Sequence, residues 1–221
     1  MTAQTWTTIA DLATALGTLV LAVATFSAIR SANLSARIAQ RALLEGLRPV
    51  LMASRREDPT LKVNFGDQKF VHVPGEGAAA EVGGGDGSMG PDDAVYLAVG
   101  LRNAGNGLAV LHGWHFYPEW HRDDQHAPLG EFRRQTRDLY IPVGDVGFWQ
   151  GAFREAADPQ YAEARSAIEA REAWTVELLY GDHEGGQRVI SRFSMLPRKD
   201  SPDGWFASVS RHWNVDRADP R

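Results

Sequence analysis

Four histidines, His112, His115, His121 and His126, fall within 15 residues and share that stretch with Glu119, Asp123 and Asp124. Imidazole and carboxylate groups at close spacing are the ligands of catalytic and structural zinc. If this chain holds a metal, His115, Glu119 and His121 are the trio best spaced to do it. The competing reading is a strand histidine or two followed by a polar loop, EWHRDDQH. Extended backbone alternates its side chains, which would send His112 and His115, three apart, to opposite faces. No His-Glu-x-x-His motif occurs, so the reading favours the structural alternative and expects no metal. Asp182-His183-Glu184 combines an acid and a base, but it lies between two alternating runs and precedes Gly-Gly. It reads as a hairpin turn.

Other chemistries lack their residues. The chain has no cysteine, which removes thiolate metal sites, disulfides and thiol catalysis. No Gly-x-Ser-x-Gly elbow is present, and the Gly-Asn-Gly at 105–107 sits between strand patterns rather than ahead of a helix. No catalytic residue and no cofactor are therefore expected, and the chain is not read as an enzyme. With 23 Lys+Arg against 28 Asp+Glu, the net charge is −5 and the pI about 5.8. A nucleic-acid binder needs a basic face, so that class is excluded.

The tryptophans carry a different kind of signal. Six of the seven lie beyond residue 100, mostly inside strand patterns where they would fill a core. Trp120 and Trp213 stand in polar stretches, EWHRDD and SRHWNVDR, and are candidates for a protein-contact patch.

The elements that must position these residues are mainly strands. AVYLAVGLRN, LAVLHGWHFY, VGFWQGAF, WTVELLY, VISRFSM and GWFASVSRHW alternate or run apolar, and LKVNF with KFVHV reads as a hairpin around Gly66-Asp67. In LAVLHGWHFY the alternation would put Leu108, Val110, His112, Trp114 and Phe116 on one side. Residues 74–93 hold seven glycines and read as a flexible loop. Asp158-Pro159 opens a helix expected to run to Glu172. The fold class expected is mainly β: an antiparallel immunoglobulin-like sandwich over 49–221 with one inserted helix.

Ahead of it stands a different kind of segment. Leu12 to Ile29 is an uncharged run of 18 residues, close to the roughly 20 that cross a hydrocarbon core. Residues 1–29 are read as a transmembrane segment, with Trp6 at the interface and Leu12, Leu16, Leu19, Val20, Leu21, Val23, Phe26 and Ile29 facing lipid. Residues 1–10 lack the Lys or Arg of a secretory signal peptide. The following stretch, 30–48, is a basic juxtamembrane stalk whose collar is Arg30, Arg37, Arg41 and Arg48. Counting on to Arg56, the flank carries +5 with Glu45 as its only acid. The positive-inside rule then places the N-terminus outside and the remainder in the cytoplasm, at the cell membrane. Residues 57–221 carry 17 basic and 26 acidic side chains, a net −9 that an anionic leaflet would repel. Small residues at Ala13, Gly17, Ala24, Ala28, Ala32 and Ala36 form a possible helix-association face.

Asn103, Gly105 and Gly107, together with Tyr180, Asp182 and Gly185, carry a resemblance once they stand downstream of such a helix. The chain resembles a group of uncharacterised bacterial, actinobacterial-type, single-span membrane proteins. Those pair one N-terminal span with a β-sandwich bearing an Asn-x-Gly-x-Gly turn and a Tyr-x-Asp-x-x-Gly hairpin. The resemblance implies the fold and the topology, and no activity. The expected role is a membrane-anchored protein-interaction or scaffold module that tethers a protein partner or self-assembles as a homo-oligomer. The alternatives are a membrane-anchored metal-dependent enzyme and a small-ligand sensor domain.

Overall fold

A computed structural model describes residues 3–66, 68–83, 94–202 and 204–217. The chain divides into two units, Met1–Glu45 and Gly46–Arg221. The first is made by one α-helix, α1 (Ala3–Gly46), 44 residues without a proline. Its large apolar side chains, from Trp6 through Leu12, Leu16, Leu19, Val20, Leu21, Val23 and Phe26 to Ile29, are each 56–69% exposed. Hydroxyls do not interrupt this surface. Thr14, Thr18 and Thr25 each donate to a carbonyl one turn back, on Ala10, Thr14 and Leu21. Such back-bonding satisfies a polar group inside the helix itself, which a lipid environment requires. The stretch Thr8–Gly46 is long and apolar enough to cross a membrane, and none of it is buried.

The second unit is mostly antiparallel β, as the alternating patterns predict. Its strands are β1 (Leu51–Ala53), β2 (Leu61–Asn64), β3 (Phe70–Val73), β4 (Gly77–Val82), β5 (Val95–Asn103), β6 (Ala109–Tyr117), β7 (Arg133–Ile141), β8 (Val146–Phe153), β9 (Trp174–Gly181), β10 (Val189–Pro197) and β11 (Gly204–Asn214). Nine of them form one sheet in the order β1-β5-β4-β11-β10-β9-β6-β7, with β8 also paired to β5. The sheet curls into a half-barrel, so its two halves face each other like the layers of a sandwich. β2 and β3 make a separate hairpin, as expected around Gly66.

Two cores result. Inside the curl, Val95, Leu97, Val99 and Leu101 of β5 meet Trp114, Trp149, Trp174, Trp205 and Phe193. Trp149 and Trp174 are fully buried and Trp205 nearly so, and truncating such a side chain costs about 3–5 kcal/mol. The opposite face of β5, Tyr96 and Ala98, is covered by Val63, Phe65, Val71 and Val73 of the β2–β3 hairpin. Helix α2 (Tyr161–Glu169) buries Tyr161, Ala164, Ala167 and Ile168. It is shorter than the run to Glu172 that the sequence suggests. Asp158 ends the preceding turn by accepting the Gln160 amide, 3.0 Å away.

Three further corrections concern the sheet. Residues 77–82, expected within a flexible loop, form β4, an interior strand between β5 and β11. Residues 84–93 of that loop lie outside the described residues. β7 has no counterpart among the patterns read from sequence. In β6 a bulge between Leu111 and Gly113 reverses the alternation. Ala109 and Leu111 before it and Trp114 and Phe116 after it all reach the inner core. Val110 and His112 therefore do not share a face with Trp114, and His115 and Tyr117 are left on the outer side.

Candidate functional site

The residues that carry the family resemblance have a mechanical role. Immediately after α1 the chain passes Leu47–Val50 and enters β1, and this joint is held by the turn between β5 and β6. Asn103 is fully buried. Its Oδ1 accepts from the amides of Val50 (3.3 Å) and Gly105 (3.0 Å). Its Nδ2 donates to the carbonyls of Gly107 (2.7 Å) and Ile141 (3.0 Å). Backbone bonds from Ala104 to Val50 and from Asn106 to Arg48 close the contact. A Cβ at Gly105 would sit 2.3 Å from the Arg48 carbonyl, and one at Gly107 would sit 1.6 Å from that of Leu47. Only glycine lets the two backbones come this close.

The second motif meets the first at the same joint. Tyr180, fully buried, accepts the Leu51 amide at 3.0 Å and pairs with Ser191 Oγ at 2.8 Å. Ser191 in turn lies 2.5 Å from His212 Nδ1. Arg48, from the expected basic collar, donates to Asn214 Oδ1 at the end of β11. Burial raises the Tyr180 hydroxyl above its ordinary range, keeping it a neutral partner. Asp182 closes the β9–β10 turn, accepting the Gly186 amide at 2.9 Å. His183 and Glu184 are exposed there, so the segment is the turn that the sequence suggests.

No protein-family model, curated protein or solved structure matches the chain. The site is therefore read from its own geometry.

The histidine-rich stretch is a strap, Pro118–Pro128, laid over the outer face of β9, β10 and β11. A buried ion pair holds it. Arg192 and Glu177 are 2% and 0% exposed, with Nη2 and Nε of Arg192 at 2.6 and 2.8 Å from Glu177 Oε1. The guanidinium also donates to the strap carbonyls of Asp123 and Gln125. Glu177 Oε2 accepts the Ala127 amide at 2.8 Å. Each charge thus has several partners, which a buried pair needs to offset its lost hydration.

Of the trio, His115 at the end of β6 and His121 in the strap pack on one ring, while Glu119 is exposed. His121 stacks on Tyr117 with centroids 3.9 Å apart, and His115 meets the same ring edge-on at 4.6 Å. Burial, and then the Glu177 carboxylate, push the Tyr117 hydroxyl up to about 12. Glu119 is 3.8 Å from His121 Nδ1. No group of three possible ligands is close enough for a metal among the described residues. Trp213 is 7% exposed and bonds the Asp124 carbonyl through Nε1 at 3.3 Å, with Arg192 over its ring at 4.8 Å. It is part of the strap's seat and cannot present a contact surface. Trp120 is 46% exposed, with Arg122 stacked on it at 3.8 Å.

Sequence reasoning missed Glu177, Arg192 and the bulge in β6. A charged residue on each of two neighbouring β runs, Glu177 in WTVELLY and Arg192 in VISRFSM, was the available signal for the ion pair.

Proposed function

We propose that the chain is a single-span membrane protein of the actinobacterial-type group it resembles. Its helix crosses the cell membrane with the N-terminus outside, and its β domain acts as a protein-interaction or scaffold module on the cytoplasmic side. One observation carries this reading: the large apolar side chains of α1 from Trp6 to Ile29 are exposed, on a helix long enough to cross a membrane. A domain tethered to a membrane by such a helix gains effective concentration for any partner at the same surface. The collar Arg30, Arg37 and Arg41 supports the orientation, and the acidic domain favours proteins over lipid or nucleic acid as partners. The row Ala13, Gly17, Ala24, Ala28, Ala32 and Ala36 supports self-association within the bilayer.

Because the chain lacks cysteine, single introduced thiols report topology. A membrane-impermeant maleimide added to intact cells should label Gln4→Cys and spare Lys199→Cys until the cells are permeabilised. Labelling in the reverse order rejects the orientation. Release of the protein by alkaline carbonate rejects the span. Pull-down from solubilised membranes, with and without residues 1–47, assigns partners to helix or domain, and specific capture by neither form rejects the scaffold role.

A further inference from the structure

The half-barrel does not close between β7 and β8, and the cause is local. From the pair Leu111–Leu139 to the pair Gly113–Arg134, β6 advances two residues while β7 advances five. Gln135–Asp138 therefore bulge away from β6. Gln135 Nε2 crosses the seam to donate to the Gln150 carbonyl of β8 at 2.9 Å, and Arg137 reaches the Asn64 carbonyl at 3.3 Å. The seam encloses a cavity of about 120 Å³ walled by Trp114, Phe65, Gln135, Gln150, Arg134 and Arg154.

Two properties of this cavity are unexplained by folding alone. Oε1 of Gln135 and Oε1 of Gln150 are buried with no hydrogen-bond donor, and Gln150 is only 6% exposed. The Gln135 amide cannot turn to mend this, because its nitrogen is committed to the Gln150 carbonyl. A buried acceptor without a donor is costly, so native proteins rarely keep one without a reason. The second property is charge. In a domain of net −9, Arg133, Arg134, Arg137 and Arg154 gather at this seam. Asp158 pairs with Arg133, through two contacts of 2.5 and 2.6 Å. The Arg134 guanidinium makes no hydrogen bond or ion pair among the described residues. A simple anion would suit the guanidinium but not the two carbonyl oxygens, and a simple amine the reverse.

We propose that the seam cavity binds a small carboxylate that carries its own N–H donors. Its carboxylate pairs with Arg134 at the rim, its N–H groups reach Gln135 and Gln150, and its carbon skeleton lies against Trp114 and Phe65. A cavity near this size holds about five to eight non-hydrogen atoms, the scale of a free α-amino acid or a short ureido acid. The site lies wholly within the β domain, so it stands or falls separately from membrane anchoring.

Ligand-observed NMR titration of the full chain in detergent tests it with four probes: glycine, N-carbamoylglycine, acetate and glycinamide. Saturable binding of glycine or N-carbamoylglycine at roughly millimolar affinity is expected for so few atoms. Which of the two binds tighter distinguishes the amino acid from the ureido acid. Acetate and glycinamide, each lacking one half of the pattern, should bind at least about tenfold more weakly. Arg134→Ala, an exposed position, should lose about the same factor. Gln150→Leu should abolish binding while leaving Tm unchanged or raised, since it removes an orphaned oxygen. No saturation by either donor-bearing probe, acetate binding as tightly as they do, or unchanged binding in Arg134→Ala would each overturn the proposal. In the first case the cavity holds water only.

Discussion

Asn103 makes four hydrogen bonds from one buried amide, two of them to segments far away in sequence. Asn103→Ala leaves two amides and two carbonyls without partners, and should cost about 2–4 kcal/mol. A lower urea midpoint at unchanged slope would report it. The Glu177–Arg192 pair makes a second prediction at this scale. Glu177→Gln leaves Arg192 buried with its charge uncompensated, a loss of about 3–5 kcal/mol. Limited proteolysis should then cut the variant within 118–128 faster than it cuts the wild-type chain. Replacing both partners by Leu and Met should not restore the wild-type rate, because the Asp123 and Gln125 carbonyls would still lack donors. These two sites differed in legibility. Asn103, Gly105 and Gly107 are visible as turn residues, although their hold on Leu47–Val50 is not. Glu177 looks like any outward-facing strand residue, and nothing local marks the strap carbonyls that Arg192 seeks.

Among the elements, alternation revealed β5, β6 and β8–β11, where one face is apolar and the period is two. It failed for β7, because RRQTRDLYI includes the bulged Gln135–Asp138 and keeps only Leu139 and Ile141 buried. It failed for β4 because a run of alanines between glycines carries no bulk, although the sheet's interior accepts it well. Bulges are set by pairing partners and leave no local pattern, so the faces of Val110 and His112 were not legible, whereas Trp114 and Phe116 do share the core face. β7 is also joined to the turn before α2 through Arg133 and Asp158. The Arg133 guanidinium holds the Asp158 carboxyl below the ordinary carboxylate range. The unfolded chain therefore takes up this proton first as pH falls. The pair's stabilisation is present above the unfolded value, about pH 4, and is lost as pH falls through the lower folded value. Melts of Asp158→Asn against wild type should show a gap at pH 7 that closes towards pH 2. A gap independent of pH would reject this account.

For the molecule as a whole, the sequence divides where the structure divides. The uncharged run and the first three arginines of its flank, Arg30, Arg37 and Arg41, lie in Met1–Glu45, and all but two of the acidic residues in Gly46–Arg221. The second unit contains both cores and every strand. A fragment of residues 46–221 should therefore stay monodisperse without detergent and unfold in one cooperative step by calorimetry. A fragment beginning at 54 lacks Leu47–Ala53, so Asn103 loses the Val50 amide and Tyr180 the Leu51 amide. It should melt at least about 5 °C lower, given the two or more hydrogen bonds lost. The three-residue pairing of β1 with β5 also determines how the domain answers a tug from its N-terminal side. Tension transmitted through residue 46 would fall first on a handful of backbone hydrogen bonds around Leu51. The rest of the β fold would be shielded until those few contacts give way, so they act as a fuse at the domain's own N-terminal edge.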